Sequence, residues 1–492
     1  MSVDSDEPND VMTAPERYFD KNRFVPARLA NAILKRFAFL TFKDTHEIYC
    51  YHKEEGIYRG DGADIVREQV QKRLGDRTTN HYKNEVVEYI RDATLVDRAD
   101  IEAPRNLIPL CNKILNIDTD EMLDYSREVP FFFKHCGAYN PKILDIGTCA
   151  SEACKFLEST FPSDEESDES DECNTKVKAS DLDIIQEVAG ACFYRRSLFK
   201  KALMLVGGGD NGKSLFLTAL ISAVGRDAVS TRTIYDLTFN RFASADLYHK
   251  TANIQADIGG GEISFTGRFK TLTGGDFVSA EKKGLQSFSF VNDATMIFST
   301  NDLPEIKRPD SVFYDRWILI EMPVTFVDKL EVDLQEGEHL LDPFLEDKLS
   351  EQIEIDWLTT WAIEGLKRLL ANGRYTETVS STDVKTRWIN RTDSLAAFVH
   401  SQVERVGGLK ITKMALYEAY VAYCREAHMT AESIVSVGRR LPQLIATRTI
   451  ETRPRSWMDI TVAGIAPQEV DVHDRNEPFG DVRLNDYGYD DD

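Results

Sequence analysis

The stretch Ala202-Leu-Met-Leu-Val-Gly-Gly-Gly-Asp-Asn-Gly-Lys-Ser-Leu-Phe-Leu-Thr-Ala-Leu-Ile221 decides how this chain is read. Its apolar opening, Ala202 to Val206, predicts a strand buried on both faces, because a parallel strand covered by helices has no polar side. Gly207, Gly208, Gly209, Asp210, Asn211, Gly212, Lys213 and Ser214 follow, and their glycines let main-chain amides converge without Cβ clashes. Leu215 to Ile221 then continues as a helix. An amide-lined loop at a helix N-terminus suits phosphate, so all eight loop residues are candidate nucleotide-binding positions. Lys213 is placed to reach the β- and γ-phosphates and Ser214 to hold Mg²⁺, which makes ATP and Mg²⁺ the expected cofactors. A glycine turn of purely structural use is the competing reading, and the strand before and helix after weigh against it.

Chemistry at such a loop needs an acid for the metal shell. Thr251-Ala-Asn-Ile-Gln-Ala-Asp257 alternates as a strand and places Asp257 at the carboxyl edge of a parallel sheet, with Glu262 as the second candidate. Ala256 stands where a second acid would, so the general base stays unassigned. Ala294-Thr-Met-Ile-Phe-Ser-Thr-Asn301 is a buried-type strand ending in Asn301, which suits a water-positioning or γ-phosphate-sensing role or, equally, a turn before Asp302-Leu-Pro. Arg316 directly precedes another apolar strand, Trp317-Ile-Leu-Ile320. In a ring motor such an arginine stabilises transition-state charge at a neighbouring subunit's nucleotide; a surface ion pair is the plain alternative, and Lys307 and Arg308 compete for the role. Period-two alternation on both sides of Glu281-Lys-Lys-Gly284 predicts a β-hairpin whose tip carries Lys282 and Lys283, facing either DNA phosphates or solvent.

Length and composition set the frame. A chain of 492 residues predicts several cores, and a net charge of −23 excludes a protein that coats nucleic acid with its whole surface. Any DNA must meet a local basic zone. The eight cysteines lack the paired spacing of a zinc ribbon, so free thiols are expected, with His135, Cys136, Cys149 and Cys154 as a weak metal alternative. The acidic N-terminus and the shortness of the apolar runs predict a cytoplasmic protein, in the host cell if viral, without a membrane partner. The expected fold is α/β: an acidic arm over residues 1–13, an α+β domain over 14–162, an acidic linker over 163–180, the ATPase domain over 181–374 on a parallel sheet, a small winged-helix-like domain over 375–464, and an acidic tail over 465–492. In that last domain Arg439, Arg440, Arg453 and Arg455 fit either DNA-backbone contacts or solvated surface.

The order of the loop, Asn253-Ile-Gln-Ala-Asp257, Phe269-Lys-Thr-Leu-Thr-Gly-Gly-Asp276, Ser299-Thr-Asn-Asp-Leu-Pro304 and Phe313-Tyr-Asp-Arg-Trp317 resembles the superfamily 3 helicases of the phage, plasmid and poxvirus primase-helicase family. Leu115-Asn-Ile-Asp118, Phe131-Phe-Phe133 and Tyr139-Asn-Pro-Lys142 look like that family's small domain ahead of the motor, so the resemblance spans Asn112 to Pro323. It implies an AAA+-like P-loop core in a homo-hexameric ring that hydrolyses ATP and moves along single-stranded or forked DNA, usually 3′ to 5′, beside a separate primase or polymerase. It also implies Asn301 as sensor, Arg316 as arginine finger and the Lys282–Lys283 tip as the DNA contact. Two features depart from the family: no metal-dependent primase site is legible in the N-terminal part, and the acidic insertion Ser163 to Glu172 is extra. An ATP-gated replication initiator with little unwinding is the alternative reading.

Overall fold

The computed structural model describes residues 15–101, 103–144, 151–161, 180–259, 261–263, 266–281, 287–306, 311–328, 334–335, 337–377, 384–426, 429–450, 455–466 and 468–469. The arm over 1–13, the insertion Ser163–Glu172, Lys282, Lys283, Lys307, Arg308 and Arg453 lie outside these residues, as do Cys149 and the tail from 470 onward. The chain divides into two compact units, residues 1–384 and 385–492.

The first unit is organised by a parallel five-stranded sheet: β1 (Ala202–Val206), β2 (Val229–Ser230), β3 (Ala252–Gln255), β4 (Thr295–Thr300) and β5 (Trp317–Glu321), in the order β2-β3-β4-β1-β5. Every residue of β1 and β4 is buried, which explains the unbroken apolar run of β1, while β4 also buries Thr295, Ser299 and Thr300. The chain leaves β1 toward the far edge at β2, steps back through β3 to β4, then crosses to β5 on the other side of β1. Connections from the adjacent strands β1 and β4 thus run in opposite directions, and a crevice opens at their carboxyl ends.

Helix α1 (Asp181–Ala191), started by a Ser180–Asp183 capping box, packs along α3 (Gln352–Asn372), with α2 (Lys213–Val224) beside them in the same core. The helical spacing read from Ile353 onward predicts α3, and Gly373 ends it at φ +67°. Two glycines set the closeness of α1 and α3. A Cβ on Gly190 would lie 2.2 Å from the Ala362 carbonyl oxygen, and one on Gly365 would lie 2.5 Å from that of Gln186. Between the same helices Glu187 is fully buried and accepts from Arg368 Nε at 3.0 Å and from the Thr376 amide and hydroxyl, both at 2.7 Å, so its charge is compensated on every side.

Ahead of this core, residues 39–96 form a four-stranded sheet, Ile57–Arg59, Ile48–His52, Phe39–Phe42 and Leu95–Val96 in that order, with the helices Pro26–Leu34, Gly62–Leu74 and Asn80–Ala93. A three-stranded meander, Leu107–Pro109, Ile114–Asn116 and Glu121–Leu123, follows. His135 is buried between Phe133 and Phe193, ring centroids 5.3 and 4.7 Å away, and Nδ1 donates to the Val224 carbonyl at 2.7 Å. It is thereby a packing residue. Among the described residues no cluster of three or more His, Cys, Asp or Glu side chains could hold a metal, and the described cysteines are free thiols. No described helix is long and apolar enough to cross a membrane.

In the second unit, the helices Ser394–Gln402, Lys413–Glu426 and Ile434–Leu444 pack on an antiparallel sheet of Arg448–Ile450, Ser456–Val462, Val403–Thr412 and Gln468–Glu469. Ile411 and Thr412 finish the Val403–Thr412 strand, pairing with Trp457 and Ser456, directly before the helix Lys413–Glu426. Early in the stretch 375–464, expected as the winged-helix-like domain, the helix Val384–Thr392 buries Trp388 fully. Arg440 is held by Asp393 and Glu432, which makes it an internal clamp, whereas Arg439 is exposed.

Candidate functional site

The crevice at the ends of β1 and β4 holds a pocket of about 370 Å³. Its floor is the loop between β1 and α2. Gly212 takes φ +82°, a left-handed turn that α2 requires at its N-cap, and Asp210 sits at φ +54°. The segment after β5 straps the loop down: the Met322 amide donates to the Val206 carbonyl at 2.8 Å and the Phe326 amide to that of Asp210 at 2.6 Å. Asn211, buried, donates from Nδ2 to the Met322 carbonyl at 3.2 Å. Gly207 is needed for this contact, since a Cβ there would sit 2.0 Å from Asn211 Nδ2. Cβ atoms on Gly208 and Gly209 would meet nothing within 4 Å, so that side of the loop faces open space.

Lys213 is buried, and its ammonium donates to the carbonyls of Gly207 and Gly208 at 2.7 and 2.6 Å and to Asn211 Oδ1 at 2.7 Å. All three acceptors are neutral. Burial therefore pulls its pKa below the usual lysine range, and the carboxylate of Asp257 pulls the other way. Ser214, next on α2, is exposed on the pocket wall. The first-turn amides of α2 point the same way, with the positive end of the helix dipole behind them.

Asp257 and Asn301 complete the polar end. Asp257 lies two residues past β3 at φ +47°, a conformation Asp tolerates better than most residues. Its amide donates to Ser299 Oγ at 3.2 Å and that of Ile258 to the Ser299 carbonyl at 3.0 Å, so β4 holds the acid at the pocket edge. Asn301 directly follows β4 and lines the same pocket. Lys213, Ser214, Asp257 and Asn301, 88 residues apart from first to last, thus share one cavity. Glu262 is not on its wall; it begins a separate two-residue ladder with Glu305–Ile306. Arg316 is not there either. Its Nη1 is buried without a hydrogen-bond partner, and its Nη2 lies beside Gly274.

The pocket also has an apolar wall, built from Phe156, Phe326, Leu341 and Leu345, with the two rings beside Gly212 and 6.3 Å apart. Sequence reading missed these four. They come from three separate segments without a motif, and only the folding of 322–345 over the loop assembles them. Asp342 also lines the wall and is held by Lys348 at 2.6 Å, which keeps its carboxyl below the ordinary range. Chemically the pocket offers an ammonium and helix amides for a polyanion, a hydroxyl and a carboxylate for a divalent cation, and an apolar slot for a flat heterocycle.

Residues 205–316 match the model of a family of unknown function, DUF5906. No curated protein matches the chain. Among solved structures, an A-form apo structure of the NrS-1 C-terminal region is similar over 88% of this chain and 98% of that one, at 12% identity and a TM-score of 0.45. A second A-form apo structure of that region, residues 305–718, covers 89% and 100% at 13% identity and a TM-score of 0.42.

Proposed function

We propose that this chain is an ATP-dependent DNA helicase of a viral or plasmid replication system, with an AAA+-like P-loop core that binds ATP and Mg²⁺ in the crevice between β1 and β4. The carrying observation is the convergence of Lys213, Ser214, Asp257 and Asn301 on one pocket at the switch point of the parallel sheet. The Gly207–Ser214 loop cradles the β-phosphate, and Lys213 exchanges its loop carbonyls for β/γ-phosphate oxygens. Ser214 and Asp257 would hold Mg²⁺, which would neutralise phosphate charge, and the adenine would lie against Phe156 and Phe326. Asn301 orients the attacking water.

Arg316, immediately before β5 and off the pocket wall, acts on the nucleotide of an adjacent subunit in a homo-oligomeric ring. The antiparallel pair Phe277–Ala280 and Phe288–Val291 carries the Lys282–Lys283 tip to the strand in the pore. The second unit serves as a winged-helix-like accessory domain. One observation favours an ATP-gated initiator with little unwinding: Asp257 is the one acid from the β3 end on the pocket wall, since Ala256 precedes it and Glu262 lies elsewhere.

The deciding experiment is strand displacement on a tailed duplex, run with ATP hydrolysis, for the wild-type chain and Lys213→Ala. The helicase reading expects DNA-stimulated hydrolysis and unwinding, both abolished by the substitution. DNA binding that depends on ATP without strand displacement selects the initiator.

A further inference from the structure

Asp342 interrupts the apolar wall of the nucleotide pocket, standing between Leu341 and Leu345 in the segment that supplies both. The other two carboxylates that line the cavity, Asp210 and Asp257, belong to the loop between β1 and α2 and to the segment after β3. A carboxylate beside apolar side chains costs desolvation unless donors meet it, and Asp342 is met on both oxygens. Oδ1 accepts from the Phe344 amide at 2.9 Å and Oδ2 from Lys348 Nζ at 2.6 Å. Lys348 also lies 3.8 Å from Glu152, whose other oxygen takes Lys155 at 2.7 Å. Glu152 and Lys155 sit on the helix Glu152–Thr160, which presents Phe156 to the pocket. A chain of ion pairs thus fixes this acid relative to the helix that carries the ring.

The Lys348 ammonium and the Phe344 amide keep Asp342 ionised at neutral pH, and an ionised carboxylate only accepts, with room for about four hydrogen bonds. Its two donors among the described residues leave acceptor capacity on the pocket wall. A nucleotide whose base lies on that wall brings two kinds of donor there, the ribose hydroxyls and the amino group of adenine. Adenine sets the lone pair of N1 beside its amino group, and a carboxylate repels it. The ribose presents two adjacent hydroxyls that rotate to donate, without such a conflict. We propose that Asp342 is a specificity-determining residue that accepts from the ribose hydroxyls, so that the site selects ribonucleoside over deoxyribonucleoside triphosphates. The assignment rests on the reading of the pocket as an ATP site and adds the sugar that it takes.

The test is equilibrium dialysis of radiolabelled ATP, 2′-deoxy-ATP and 3′-deoxy-ATP with Mg²⁺ and the full chain, so that no fluorophore occupies the ribose. Wild type, Asp342→Ala and Asp342→Asn are compared, with GTP as a competitor. Wild type is expected to bind ATP about tenfold or more tighter than at least one deoxy analogue. Asp342→Ala should bring that ratio near one by weakening ATP alone, and Asp342→Asn, which keeps an acceptor oxygen, should fall between. The ratio is taken within each protein, so a variant that folds only in part still reports it. Equal binding of ATP and both analogues by wild type, or a ratio that survives in Asp342→Ala, overturns the assignment and leaves the ATP site standing. A variant that shifts the preference between ATP and GTP while keeping the sugar preference overturns it in favour of base reading. A wild-type chain that binds none of these nucleotides overturns the ATP site and the assignment together.

Discussion

Asn211 joins the buried main chain of Met322 to the ammonium of Lys213, donating to the first at 3.2 Å and accepting from the second at 2.7 Å. One side chain thus couples the loop that carries the candidate phosphate site to the segment that closes over it.

Replacing Asn211 by Ala leaves the Met322 carbonyl without that donor and removes one of three acceptors positioning Lys213. A loss of about 1–3 kcal/mol in stability is expected, with ATP hydrolysis reduced by about tenfold or more. Thermal melting and phosphate release check the two effects. Gly207→Ala should reproduce the phenotype, because its Cβ would fall 2.0 Å from Asn211 Nδ2.

Asp257→Asn keeps the size and the backbone turn anchored on Ser299 but removes the negative charge that faces Lys213. Fluorescent-nucleotide binding should persist while its dependence on Mg²⁺ weakens, and hydrolysis should fall by about a hundredfold or more. A variant with normal turnover at low Mg²⁺ would remove Asp257 from the metal shell.

Gly190→Ala forces a methyl to within 2.2 Å of the Ala362 carbonyl oxygen, a main-chain atom that moves only if α1 and α3 separate. Overpacking of this kind costs about 1–3 kcal/mol or more. The expected readout is a lower melting temperature, whereas Gly208→Ala, with no atom within 4 Å of its Cβ, should leave stability nearly unchanged apart from nucleotide effects.

Burial holds the His135 pKa down to about 4 from 6.5, opposed by hydrogen bonding of the ring to main-chain carbonyls. Between those values the unfolded chain binds a proton that the folded chain excludes. The contribution is therefore full above pH 6.5 and is lost as pH falls toward 4, by on the order of 3 kcal/mol. Melting curves of wild type and His135→Phe across pH 4 to 7 should differ in slope in that window; parallel curves would refute the assignment.

The strands β1, β4 and β5 and the helix α3 were legible because each carries a run whose periodicity has one structural meaning. Ala202–Val206 and Trp317–Ile320 have no polar residue to turn outward, and the Gly373 cap follows the helical spacing directly. The helix Val384–Thr392 was not legible, because its polar residues mask the buried Val384 and Trp388.

By itself the sequence determined local chemistry: a glycine-rich turn between strand and helix, an acid after one strand and an amide side chain after another. Those depend on neighbours along the chain, so spacing reports them. Tertiary structure alone decided which of them meet. Parallel strand order brought Asp257 and Asn301 to the Lys213 pocket and left Glu262 and Arg316 off it. It also drew Phe156, Phe326, Leu341 and Leu345 into one wall. Contacts between residues far apart in the chain follow from close packing of whole elements, which no short window of residues encodes.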